Sequence, residues 1–228
     1  MTTTGELTET IAGASAAHAR LARTVAELDD DVARRPSLLP GWTVAHVLAH
    51  LARNAESHVR MLEAALEGRS VEQYPGGHQQ RSRDIDEGAS LPAARLQAEI
   101  LRTSSALEAA WSRMTPDAWR GHGLAGGREW PCRVLPFHRW REVEIHHVDL
   151  GLGYEPEDWP EAYVQRELPL ALAAVPDRVG PADARRLLSW LVGRGEHPVD
   201  VELSPWQERR EHYHLVHAAL RELQEPLP

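Results

Sequence analysis

The sequence predicts an α+β protein: a four-helix bundle over residues 1–154, followed by a small α/β domain over residues 155–228. Three observations carry this reading. Long stretches place apolar residues at a helical period, Gly- and Pro-rich runs separate them, and after Gly151-Leu152-Gly153 the segments become shorter, with one alternating run. A chain of 228 residues can hold one large domain, or a medium domain and a small one.

The first helix is expected from Leu7 to Asp31, where Leu7, Ile11, Ala14, His18, Leu21, Val25 and Leu28 keep the period. The run P-S-L-L-P-G, Pro36 to Gly41, ends it. Thr43 then reads as the N-cap of a helix from Val44 to Glu67, closed by Gly68. Tyr74 to Gln80, Y-P-G-G-H-Q-Q, reads as a turn-rich loop. A third helix is expected from Pro92 to Met114, with Leu96, Ile100, Leu107 and Trp111 inward. Thr115 to Trp130 reads as loop with room for a short strand. The fourth long helix spans Val134 to Leu150. Beyond it, Tyr163 to Val175 and Ala182 to Val192 read as short helices, Val199 to Leu203 alternates like a strand, and His212 to Leu223 fits a last helix.

Composition excludes several functions. Apolar residues make up 42% and charged residues 26%, as in an ordinary globular protein. No apolar run approaches the roughly 20 residues that span a bilayer, and the N-terminus M-T-T-T-G-E-L-T-E-T lacks a basic, apolar signal. A soluble, cytoplasmic protein with no membrane partner is expected. A formal charge of −9 argues against nucleic acid, which needs a basic surface. All 25 basic residues are Arg. The single cysteine, Cys132, leaves no internal disulfide and no Cys-rich metal site, so any metal must be held by nitrogen and oxygen. Trp42, Trp130, Trp140, Trp159 and Trp206 are expected to cap edges of the core. A self-sufficient bundle is expected to be a monomer.

The most informative stretch is R-E-V-E-I-H-H-V-D, Arg141 to Asp149. Glu142 and His146 are four residues apart, hence on one helical face, where a carboxylate oxygen and an imidazole nitrogen can grip one ion. His50, on the second helix in P-G-W-T-V-A-H-V-L-A-H-L-A-R-N, is a third candidate. Two His and one Glu with an open fourth position is the ligand set of a catalytic zinc site. The same spacing also describes an ordinary helix-stabilising contact. Glu144 and His147 form a rival pair, and only one pair is expected to face inward. His46 and His58 share a ladder with His50 and are expected to be core-edge or solvent-exposed residues. Asp149 could orient a ligand imidazole. Arg139 and Arg141 are expected in surface salt bridges.

Together, the segments P-G-W-T-V-A-H-V-L-A-H-L-A-R-N, Y-P-G-G with the following R-S-R-D-I-D-E-G-A, and R-W-R-E-V-E-I-H-H-V-D-L-G resemble the mycothiol-dependent maleylpyruvate isomerases. The resemblance covers essentially the whole chain and is strongest over residues 40–90 and 138–153. It implies a DinB-like metal-binding helical domain with a small C-terminal domain. It also implies zinc on His50, Glu142 and His146, which decides between the rival pairs, and an essential arginine at Arg81, with Arg83 as the alternative. It brings no site residue to the C-terminal third.

The implied activity is a cis–trans isomerisation of maleylpyruvate to fumarylpyruvate, as in gentisate-type aromatic degradation, with mycothiol as thiol cofactor. A zinc-bound thiolate would add to the double bond, allow rotation and be expelled. Cys132 need not supply the sulfur. Arg81 would anchor a carboxylate of the dianionic substrate or stabilise the developing enolate. Two other readings use the same features: a mycothiol S-transferase that stops at the adduct, and a non-catalytic zinc-bearing regulator. The Y-P-G-G loop and its R-x-x-D-I continuation favour the isomerase. The regulator lacks a Cys-based switch and a basic surface.

Overall fold

The computed structural model describes residues 4–192 and residue 194. It divides into two compact units, Thr2–Pro160 and a second that takes in the chain from Glu161. In the first unit the four expected long helices are present as α1 (Thr4–Val25), α3 (Val44–Leu66), α5 (Ala93–Arg113) and α7 (Leu135–Asp149). Helix α3 packs against α5 and α7, and α1 packs against α7 and α5, closing a bundle. Leu21, Leu48, Leu51, Leu62, Ile100, Leu107 and Val143 are buried at its centre.

Local chemistry sets the boundaries. The first helix stops at Val25, short of Asp31, and α2 (Asp30–Arg34) starts anew. The cause is Asp29, whose carboxylate accepts from the Val32 amide at 2.7 Å and caps a second helix rather than continuing the first. Thr43 caps α3 as expected, and His46 reciprocates: its ring lies 3.3 Å from the Thr43 amide and 2.7 Å from the Thr43 hydroxyl. Tyr74 to Gln80 is not all loop, because α4 (Gly77–Ala89) begins inside it. Gly76 and Gly77, with φ of 80° and 70°, take the left-handed backbone that turns the chain into α4. Helix α4 packs along α3.

The stretch expected to be loop with a short strand folds into α6 (Pro116–Arg120) and an antiparallel hairpin, β1 (His122–Ala125) and β2 (Arg128–Pro131). Gly126 and Gly127 both have positive φ, 59° and 78°, which suits the tight turn of a right-twisted hairpin. Gly123 lies opposite Trp130 and against Met61 of α3; a Cβ there would come within 2.4 Å of the sulfur. The hairpin therefore presses directly on α3. It also holds the segment after α3: the Leu124 amide donates to the Val71 carbonyl at 2.9 Å, and the Gln73 amide to the Leu124 carbonyl at 2.7 Å.

The described part of the second unit contains α8 (Glu161–Ala173), α9 (Val175–Arg178) and α10 (Pro181–Leu191), where two short helices are expected. The strand expected at 199–203, the helix expected at 212–223 and Trp206 lie outside the described residues. Among the described residues no helix is long and apolar enough to cross a membrane.

Candidate metal centre

Helices α3 and α7 cross where His50 meets Glu142 and His146. His50 Nε2 lies 3.0 Å from Glu142 Oε2 and 3.1 Å from His146 Nε2, and the latter two atoms are 3.7 Å apart. Among the described residues these three form the one His/Cys/Asp/Glu group whose ligand atoms could hold a metal ion, all within 4.8 Å of one another. All three side chains are buried. His146 Nδ1 is 2.7 Å from Asp149 Oδ2, so its other nitrogen has a carboxylate partner that fixes the ring. Burial, the largest effect, pushes the His50 pKa down to about 4 and keeps the ring neutral, partly opposed by Glu142. Burial alone would raise the Glu142 carboxyl. The His50 hydrogen bond, with His138 and His146 beside it, holds it well below the usual range. Neutral imidazole and ionised carboxylate are the forms that bind a divalent cation.

The rival pair is buried too, contrary to the expectation that only one pair faces inward. Helix α7 is packed on two sides, and Glu144 and His147 face α1 rather than α3. Glu144 accepts from Arg20, from Trp140 Nε1 at 2.8 Å and from the Tyr154 hydroxyl at 2.5 Å. His147 pairs with the Thr24 hydroxyl at 2.7 Å and stacks on Tyr154 at 3.8 Å. Neither joins the cation group. Arg139 and Arg141 are buried as well, not in surface salt bridges. Arg139, 0% exposed, donates to His18 Nε2 at 3.0 Å, the Leu51 carbonyl at 2.8 Å and Asn54 Oδ1 at 2.9 Å. These acceptors repay much of its desolvation. Arg141 stacks on Phe137.

Helix α4 brings Arg81 to the edge of the centre, where one guanidinium nitrogen lies 3.0 Å from His50 Nδ1. Arg83 is exposed and donates to Gln80. The Arg81 guanidinium also lies over the Tyr74 ring, 5.4 Å from its centroid, while Trp42 meets His50 edge-on at 5.8 Å. A guanidinium only donates, so His50 accepts at Nδ1 and carries its hydrogen on Nε2, facing Glu142. His46 caps α3 and stands apart from the three candidate ligands. His58 is not at a core edge or in solvent but fully buried, beside Trp130 and His138. Tyr74 and His138 border the centre without being candidates in the sequence. His138 precedes Glu142 by the same four-residue spacing that singles out His146, and Tyr74 opens the Y-P-G-G segment.

Comparison with known proteins agrees with this architecture. Residues 14–151 match the family model described as mycothiol maleylpyruvate isomerase N-terminal domain. Two solved structures, the mycothiol-dependent maleylpyruvate isomerase and a histidine-to-alanine mutant of it, are each 29% identical to this chain. Each superposes with a TM-score of 0.66, covering 75% of this chain and 68% of the other. A search of curated proteins returned no match. Since the family match spans more than half of the chain and includes α3, α4 and α7, this chain belongs to the mycothiol maleylpyruvate isomerase N-terminal domain family.

Proposed function

We propose that the protein is a mycothiol-dependent cis–trans isomerase that converts maleylpyruvate to fumarylpyruvate, with a divalent cation, zinc by its donor set, on His50, Glu142 and His146. The observation that carries this is the convergence of two imidazole nitrogens and one carboxylate oxygen on a single buried point, with Asp149 behind one ring. Three nitrogen and oxygen donors with an open fourth position fit catalytic zinc, and no cysteine competes, since Cys132 is buried with its thiol pushed up to about 11 by burial.

When bound, the cation supplies a Lewis-acidic position that keeps a thiol deprotonated near neutral pH, and the thiolate supplies reversible addition to a double bond. The protein's own part is positioning and charge. Arg81, half-buried at the edge of the centre, offers a permanent planar cation to a carboxylate of the substrate or to the enolate charge that develops on addition. Its ring partner Tyr74 restricts where the guanidinium can swing. Trp42 meets His50 edge-on at the same side of the centre.

The deciding experiment follows maleylpyruvate by ultraviolet absorbance with zinc-loaded protein, with and without mycothiol. Thiol-dependent conversion without net thiol loss is expected, and His50→Ala or Glu142→Ala should lose both stoichiometric zinc and conversion. Thiol consumption without isomerisation would reassign the chain to S-transfer on the same centre. Full zinc retention in either variant would sink the ligand set.

A further inference from the structure

We propose that His138 is a positioning residue that holds one oxygen of Glu142 and so presents the other to the cation. The inference rests on the ligand set proposed above. The two carboxylate oxygens of Glu142 face different neighbours. Oε2 points to His50 and His146, at 3.0 and 3.7 Å, whereas Oε1 faces His138 Nε2 at 3.5 Å, an electrostatic contact longer than a formed hydrogen bond. His138 stands one turn before Glu142 on α7, so the helix itself sets this contact.

The His138 ring is held from outside the helix. Trp130 meets it nearly edge-on, with centroids 4.5 Å apart and planes at 79°, and His58 lies 5.4 Å away on α3. Trp130 in turn is set by the hairpin, because its cross-strand partner Gly123 is pressed against Met61 without space for a side chain. The chain of contacts runs from the turn glycines through Trp130 and His138 to Oε1. With Oε1 drawn toward the His138 ring, Glu142 would offer a bound cation its other oxygen, Oε2. Without that partner Glu142 can rotate, and the three-donor geometry loosens.

The test compares His138→Phe, which keeps the ring volume, with His138→Gln, which restores an N–H near the Nε2 position. Zinc affinity is measured by chelator competition, alongside the melting temperature of the metal-free proteins. The Phe variant should bind zinc about 10- to 100-fold more weakly, the usual effect of removing a group that orients a ligand. The Gln variant should recover most of that loss, and the metal-free melting temperatures should stay together, which a purely packing role would not produce. Equal zinc affinity in the native and Phe proteins overturns the inference. Should His138→Phe fail to fold, His138→Leu against His138→Gln gives the same contrast, and equal affinities again overturn it. A native protein that binds no stoichiometric zinc would instead refute the ligand set beneath it.

Discussion

Replacing Arg81 by Ala should tighten cation binding while it weakens turnover. The 3.0 Å contact from the guanidinium to His50 Nδ1 requires that nitrogen to accept. A neutral imidazole coordinating through Nε2, the atom that faces Glu142 and His146, must carry its hydrogen on Nδ1. Two N–H groups would then point at each other, so the contact and the coordination exclude one another. A hydrogen bond from a charged donor contributes about 1.5–3 kcal/mol when its partner is buried. His50 is 4% exposed, but Arg81 is only half-buried, and water can take over part of its role. A net competition of about 1–2 kcal/mol remains, equivalent to about 5- to 30-fold in affinity. Titration of native and Arg81→Ala protein against a zinc chelator at constant pH measures this directly. Equal or weaker zinc binding by the variant would refute the tautomer argument. The same variant should lose turnover by about 100-fold or more, the scale seen when a charge-stabilising donor is removed, so affinity and activity move in opposite directions.

Three further outcomes follow from the packing of α7. Glu144→Ala should destabilise the fold by about 3 kcal/mol in urea unfolding, because Arg20, Trp140 and Tyr154 lose their shared acceptor. Its zinc stoichiometry should stay native, and loss of zinc from folded protein would revive the rival pair. Gly13→Ala places a Cβ 2.5 Å from the Trp140 ring. Overpacking of about 1–3 kcal/mol should exceed the helix-propensity gain of about 1 kcal/mol, and a more stable variant would contradict the close approach of α1 and α7. For His147, burial, with Arg20 next, lowers the pKa from 6.5 to about 4. The unfolded chain therefore binds the proton first, and stability is lost as pH falls from 6.5 toward 4, by roughly 3 kcal/mol for this group. Unfolding of chelator-treated protein across that window should be steeper in pH for the native chain than for His147→Gln; identical slopes would remove His147 as the source.

The helices were legible where their signals are local. Thr43 caps α3, Pro92 and Pro116 bracket α5, and the spacing of Glu142 and His146 places both on one face. The Glu142–His146 pair could be read as a candidate for the same reason, since a four-residue spacing is a geometric statement, but its choice over Glu144 and His147 came from the family resemblance. What the sequence hid is non-local. The run R-W-R-E-V-E-I-H-H-V looks half exposed by its charges, yet Arg139, Arg141, Glu144 and His147 are all buried. Their hydrogen-bond partners, Arg20, Thr24 and His18 among them, lie more than a hundred residues upstream, so no window along the chain could show them. The start of α4 was hidden differently. Its glycines read as turn residues, and they do turn, but into a helix whose packing on α3 outweighs its weak local preference.

That hidden charge explains how the candidate cation centre is held between two helices. Arg139 sits three residues before Glu142 on α7, and its guanidinium bonds the carbonyl of Leu51 and the side chain of Asn54, which follow His50 on α3. The same group bonds His18 of α1, itself 2.8 Å from Glu108 of α5. One buried cation thus ties α7 to α3 within a turn of the centre and to α1 behind it. Burial lowers its pKa only to about 10, so it stays charged at neutral pH and its contacts persist. Ligands on two separate helices need a fixed interhelical span, because a displacement near 1 Å at a reacting centre can cost about a hundredfold in rate. Apolar packing alone would allow the helices to slide. A buried guanidinium cannot slide without leaving acceptors and donors unpaired, which costs about 1–3 kcal/mol for each one. The charged character of α7 therefore serves the candidate centre twice: Glu142 and His146 toward α3 are the proposed donors, while Arg139, Glu144 and His147 fix the backbone that carries them.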